Sequence, residues 1–148
     1  MSGKRSGAQA RRGAAHGPLP LTLDIERVLG VAARQPVRAE FRFDPESPSA
    51  VCVEFLVEGG PRASWRIGRD LLRQGLSSMS GLGSVRMWPS SAGERAAAWL
   101  QLASGDMAAL FELPAPPLAA WLDRTYRLVP AGSEFTGVDW DAAVRGGG

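Results

Sequence analysis

The sequence predicts an α+β domain: a curved antiparallel sheet of about six or seven strands, with one main helix and short helices besides. Three observations carry that reading. Apolar and polar residues alternate along Val37–Phe43 and again along Val51–Glu58, the period of strands with one buried face. Gly and Pro, 18 and 11 of the 148 residues, punctuate the chain into short elements. One later segment, Leu118–Leu128, keeps a helical apolar stripe. Strands, a short helix, strands and a long helix, in that order, describe a meander with helices packed at one end.

The length suits one domain preceded by a tail. Residues 1–17, rich in Gly, Ala, Arg and Ser, have no apolar periodicity and read as a disordered basic tail. Residues 18–148 then form the domain. A domain of about 130 residues buries somewhat over 60% of its unfolded surface, so it needs no metal or disulfide staple. The net charge of +2 conceals a split: Lys4, Arg5, Arg11 and Arg12 give the tail +4, and the rest carries 13 basic against 15 acidic residues. A domain so near neutrality argues against a strong phosphate-binding surface. Cys52 is the only cysteine, so no intramolecular disulfide is expected, and the cytoplasm suits the chain. No apolar run approaches the ~20 residues of a membrane span. The N-terminus has no signal-like apolar region, so neither export nor membrane insertion is expected.

Taken in order, the first element is ambiguous. Leu21, Leu23 and Ile25 alternate as in a strand, yet Leu21, Ile25, Val28 and Leu29 also satisfy helical spacing. Val37, Ala39, Phe41 and Phe43 turn inward on the next strand, which Asp44-Pro45-Glu46-Ser47-Pro48 ends in a turn. Val51, Val53, Phe55 and Val57 face inward on the third, while Leu56 breaks the pattern as an apolar spot on the outward face. Gly59-Gly60 reads as a hairpin turn into a strand with Ala63, Trp65 and Ile67 on one side.

That strand runs through Gly68 into a short helical turn, Arg69–Gln74. Asp70 complements the positive end of this helix, Leu71 and Leu72 point to the core, and Gly75 is placed to stop it in a left-handed conformation. A Ser/Gly-rich loop leads to a strand over Val85–Trp88, ended by Pro89, which lacks a ladder donor. Ala96–Ala103 and Met107–Leu113 are two more strands joined by Ser104-Gly105-Asp106, although their alanines also favour helix. Pro114, Pro116 and Pro117 open the helix Leu118–Leu128, whose buried stripe is Leu118, Trp121, Leu122 and Thr125. Pro130-Ala131-Gly132 ends it. A short turn capped by Asp141 closes the chain.

Catalytic chemistry finds little support. His16, the one histidine, lies in the tail, so a Ser-His-Asp or Cys-His arrangement lacks its base. Cys52 stands alone, Glu54 and Glu58 are spaced as solvated strand positions, and Asp139 and Asp141 read as turn and cap residues. Gly81-Leu82-Gly83 is too short for a phosphate loop. No catalytic residue, metal or cofactor is expected. Five tryptophans are the unusual feature. Trp65, Trp99 and Trp121 fall on inward stripes. Trp88 sits beside Arg86, and an exposed Trp-Arg pair suits a protein interface or the stacking of single-stranded nucleic acid.

The strings RDLLRQGL (Arg69–Leu76) and GSVRMWPS (Gly83–Ser90) resemble paired elements of the SsgA-like proteins, regulators of sporulation and cell division in actinomycetes. The matching positions are Arg69, Asp70, Leu71, Leu72, Gly75 and Leu76, then Gly83, Val85, Arg86, Trp88 and Pro89, with Trp65 just upstream. The resemblance extends from about Leu21 to about Ala143 and implies a strand at Leu21–Gly30; the sequence departs from the family after Asp141, where the family's C-terminal helix runs longer and Gly146–Gly148 truncate it here. It implies a whirly-like fold, a homotrimer, and an adaptor at septum sites that recruits or organises the tubulin-like division protein. Leu56, Arg86 and Trp88 are the candidate protein-binding residues. The alternative is a single-stranded DNA or RNA binder, since the implied fold also serves that role.

Overall fold

Seven strands and two helices make up residues 18–90 and 96–132, which the computed structural model describes. In chain order they are β1 (Leu19–Val28), β2 (Arg34–Phe43), β3 (Ala50–Leu56), β4 (Arg62–Gly68), α1 (Arg69–Gly75), β5 (Val85–Ser90), β6 (Ala97–Ser104), β7 (Met107–Pro114) and α2 (Ala115–Leu128). The strands form one curled sheet in the order β4-β3-β2-β1-β7-β6-β5, every pair antiparallel. Two meanders, β1–β4 and β5–β7, meet where β1 pairs with β7, and α1 links the two edge strands. The basic tail at residues 1–17 and the closing turn at Asp141 lie outside the described residues.

Alternation decides which face each strand buries. Val37, Ala39, Phe41 and Phe43 of β2 and Val51, Val53 and Phe55 of β3 all lie in the core. The ambiguous first element is a strand that pairs with β2 on one side and β7 on the other. Leu23 and Ile25 are buried while Leu29, which a helix would have turned inward, lies beyond the strand at 55% exposure. Phe55 stacks on Phe111 across the sheet's concave side, ring centroids 4.7 Å apart. The predicted stripe of α2 is buried in full, and Trp121 meets Phe41 at 5.9 Å in a tilted pair.

Four expectations require correction. Gly75 does not stop α1; it is the last residue of the helix, and the chain continues through Leu76 in right-handed geometry. Its small size is what the fold needs, because a Cβ there would sit 2.4 Å from Cγ of Met87 on β5. The left-handed turn falls instead at Gly81, φ +92°, where a side chain would collide with the Val85 carbonyl. Pro89 does not end β5, which runs on to Ser90. Met87 gives its N–H and C=O to Ser80, on the side away from β6. By ladder alternation Pro89 also turns its nitrogen to that side, so no bond to β6 is lost. Trp99 does not share the inward stripe; Ala98, Leu100 and Leu102 fill it, and Trp99 faces outward. Trp65 is half-buried at the margin of the core rather than inside it, while Leu71, also half-buried, packs against the core as expected.

Candidate protein-interaction surface

The first motif element is mostly interior. Arg69 is 0% exposed, and its Nη1 donates to the Thr125 carbonyl at 3.0 Å. That carbonyl belongs to the last turn of α2, the negative end of the helix, where a cation is favoured. The guanidinium lies 3.9 Å from the ring centroid of Tyr126 and 4.9 Å from that of Phe43, so aromatic faces replace the lost water. Asp70 accepts a hydrogen bond from the Tyr126 hydroxyl, and Arg73 also lies over the Tyr126 ring, at 4.4 Å. Burial, reinforced by the hydrogen bond to Asp70, pushes the Tyr126 hydroxyl well above the ordinary tyrosine range. Leu72 is buried beside them. This element staples α1 to the end of α2.

The second element is held against the first. Gly75 seats Met87 of β5, and the paired Met87–Ser80 bonds, both 2.8 Å, close the intervening loop onto the strand. Gly83, at φ +73°, turns the chain into β5 with open space around it, and Val85 and Leu76 are half-buried against the core. Met87 points inward, so Arg86 and Trp88 point outward. The two strings are therefore one unit with an interior half and an outward half.

On the outer face Trp88 stands opposite Trp99 of β6, and Arg86 opposite Gln101. The same rows continue across β7 and β1 through Glu112 and Glu26, and through Leu110 and Val28. Arg34 anchors this region: it bonds Glu112 and Glu26, the latter at 3.2 Å, and its guanidinium lies 5.7 Å from the Trp99 ring. The hydrogen bond to Glu112 raises the Arg34 pKa still further. Arg86 is exposed, while Trp88, Trp99, Leu110 and Val28 are half-buried.

Leu56 lies on the same face but far along the sheet, with four strands between β3 and β5. Its cross-strand neighbours are Arg38 and Arg62. Around it the outer face of β2–β4 is charged, with Glu40 and Arg42, Glu54 and Cys52, and Arg66 in register. The three candidate binding residues therefore do not form one site: Arg86 and Trp88 belong together, and Leu56 is a lone half-buried apolar residue among charges. Among the described residues no three His, Cys, Asp or Glu side chains gather to hold a metal ion. No described helix is long and apolar enough to cross a membrane.

The sequence profile of a family described as "Streptomyces sporulation and cell division protein, SsgA" matches residues 37–134. The chain belongs to that family. It is similar to the sporulation-specific cell division protein SsgB of Salinispora tropica, 41% identical over 131 residues, which cover 84% of this chain and 92% of the relative. The SsgB of Streptomyces coelicolor is 35% identical over 119 residues, covering 80% and 87%. Two solved structures share the fold. One is an SsgB of Streptomyces coelicolor whose mutations correlate to longitudinal cell division during sporulation: TM-score 0.77, 34% identity, 80% of this chain and 94% of that one. The other is the SsgA-like sporulation-specific cell division protein of Thermobifida fusca: TM-score 0.77, 30% identity, coverage 88% and 96%. These relatives are cell division proteins of sporulation, which supports a role in sporulation septation, and the family description names no catalysed reaction.

Proposed function

We propose that this chain is a non-enzymatic regulator of sporulation-specific cell division that works as an adaptor. It sits on the cytoplasmic side of the septum site and contacts the tubulin-like division protein, or another division-site protein, through the outer face of β5 and β6. The observation that carries this reading is the exposed Arg86 beside half-buried Trp88 and Trp99. Trp and Arg are residue types enriched at protein interfaces and among the residues that carry their binding energy. Elsewhere on this face Arg38 stands opposite Asp24, and the row of Glu40 and Glu54 separates the row of Arg38 and Arg62 from that of Arg42 and Arg66, which suits a protein partner better than a run of phosphates. The homotrimer that the family resemblance implies is part of the same proposal.

The test uses the full chain against purified tubulin-like division protein, with labelled single-stranded oligonucleotides alongside. Arg86→Ala and Trp88→Ala are expected to weaken the protein contact by about 1–3 kcal/mol each. Light scattering on the same variants separates a partner contact from a subunit contact, since only the latter changes the mass. Tight, salt-sensitive oligonucleotide binding with no protein captured would replace this reading with the nucleic-acid one.

A further inference from the structure

We propose that the free edge of β4 captures an extended segment of another protein, one that alternates apolar residues between flanking acids, as an added strand. This site is separate from the Trp88 surface and stands or falls apart from it. β4 is the end strand of the sheet, and no strand lies beyond it among the described residues. The Arg69 N–H donates to the Ser49 carbonyl at 3.0 Å, just past the β3–β4 ladder. Alternation of an antiparallel ladder then turns the N–H and C=O groups of Arg62, Ser64 and Arg66 away from β3, toward the edge. The other edge is blunted: Met87 of β5 is already paired with Ser80, and Pro89 has no donor. Nothing of that kind protects β4, which has no proline within Arg62–Gly68.

Beside β4 the concave side of the sheet opens into an apolar cleft of about 230 Å³, walled by Val37, Phe55, Trp65, Leu102 and Phe111. Ala63, exposed, and Trp65, half-buried, line it from β4. An added strand bonded to Arg62, Ser64 and Arg66 would place the residues opposite Ala63 and Trp65 over this cleft. Charge fixes the rest of the occupant. Arg62 and Arg66 both project on the outer face of β4. Arg62 holds only a 3.4 Å pair with Glu54, and Nη1 of Arg66 lies 3.7 Å from the Cys52 sulfur, with Arg42 one strand further in. The complementary segment therefore reads acid, apolar, any residue, apolar, acid. That pattern is the same in both chain directions, so it fits either strand polarity.

The test is an NMR titration of the full-length protein with a soluble synthetic peptide whose centre is Glu-Val-Thr-Val-Glu. A control peptide has Lys in place of both Glu. The expected result is that the Arg62, Ser64 and Arg66 amides shift and exchange at least tenfold more slowly, and that the control binds at least tenfold more weakly. Ser64→Pro removes one edge donor while leaving the β3 ladder intact and should abolish binding. Should that variant not fold, Arg62→Glu with Arg66→Glu gives the second reading, a preference switched to the Lys peptide. Unmoved β4 amides at millimolar peptide, equal binding of the two peptides, or shifts confined to β5 and β6 would overturn the proposal.

Discussion

Two arginines from the same paired motif have opposite surroundings. Arg69 is sealed between Phe43, Tyr126 and the last turn of α2, while Arg86, on the strand that α1 seats, stands in solvent beside Trp88. The difference teaches that a motif need not be a site throughout. One half fixes the angle between α1 and α2 and thereby the position of β5, since Gly75 rests directly on Met87. The other half uses that position to present a Trp-Arg pair. Substitutions in the first half should therefore appear as lost stability, and substitutions in the second as lost affinity.

The largest expected effect tests the interior half. Arg69→Ala empties a fully buried site and orphans the end of α2, and should cost about 3–5 kcal/mol in urea unfolding. A loss below about 1 kcal/mol would break the comparison. Gly75→Ala comes next: its new methyl collides with Met87, an overpacking expected to cost about 1–3 kcal/mol. Met87→Ala in the same chain should recover part of that loss, which a double-mutant cycle would measure.

Alkaline pH sharpens the same half. An unfolded tyrosine ionises near pH 10, and Tyr126, held neutral by burial and by Asp70, ionises higher. Its contribution to stability is thus complete below about pH 10 and falls as the pH rises through its own higher pKa, because over that interval only the unfolded chain releases the proton. Tyr126 is the only tyrosine, so phenolate absorbance follows it without interference. Tyr126→Phe should flatten the alkaline stability loss; an unchanged slope would contradict the clamp. The smallest effect is expected on the outward half: Trp88→Ala should change folding stability by no more than about 1 kcal/mol, the scale of a cross-strand pair.

How much was legible in the sequence follows from how each residue is satisfied. β2, β3 and α2 were readable because a one-sided burial leaves its period in the chain, as in Phe41, Phe43, Val51 and Val53, or Leu118, Trp121 and Leu122. Arg69 was not, because an arginine beside Gly68 looks solvated until Thr125 arrives from 56 residues away, with Tyr126 next to it. Gly75 was misread because a glycine needed for close approach looks the same as one needed for a left-handed turn. Trp99 was assigned to the inward stripe, although Gln101, two residues on, marked that face as outward. Leu56 and Trp88 were both candidate binding residues, but strand order, which the sequence does not display, places them on opposite wings.

The most direct test measures stability and affinity together on two variants of the full chain, Arg69→Lys and Trp88→Ala. Lys keeps the charge at position 69 but loses the planar fork and the stacking. The account predicts a crossed result: Arg69→Lys lowers the urea midpoint while its folded fraction binds the proposed division-site partner as the parent does, and Trp88→Ala keeps the midpoint but binds more weakly by about 1–3 kcal/mol. Trp88→Ala unfolding as readily as Arg69→Lys, or binding with unchanged affinity, would contradict it.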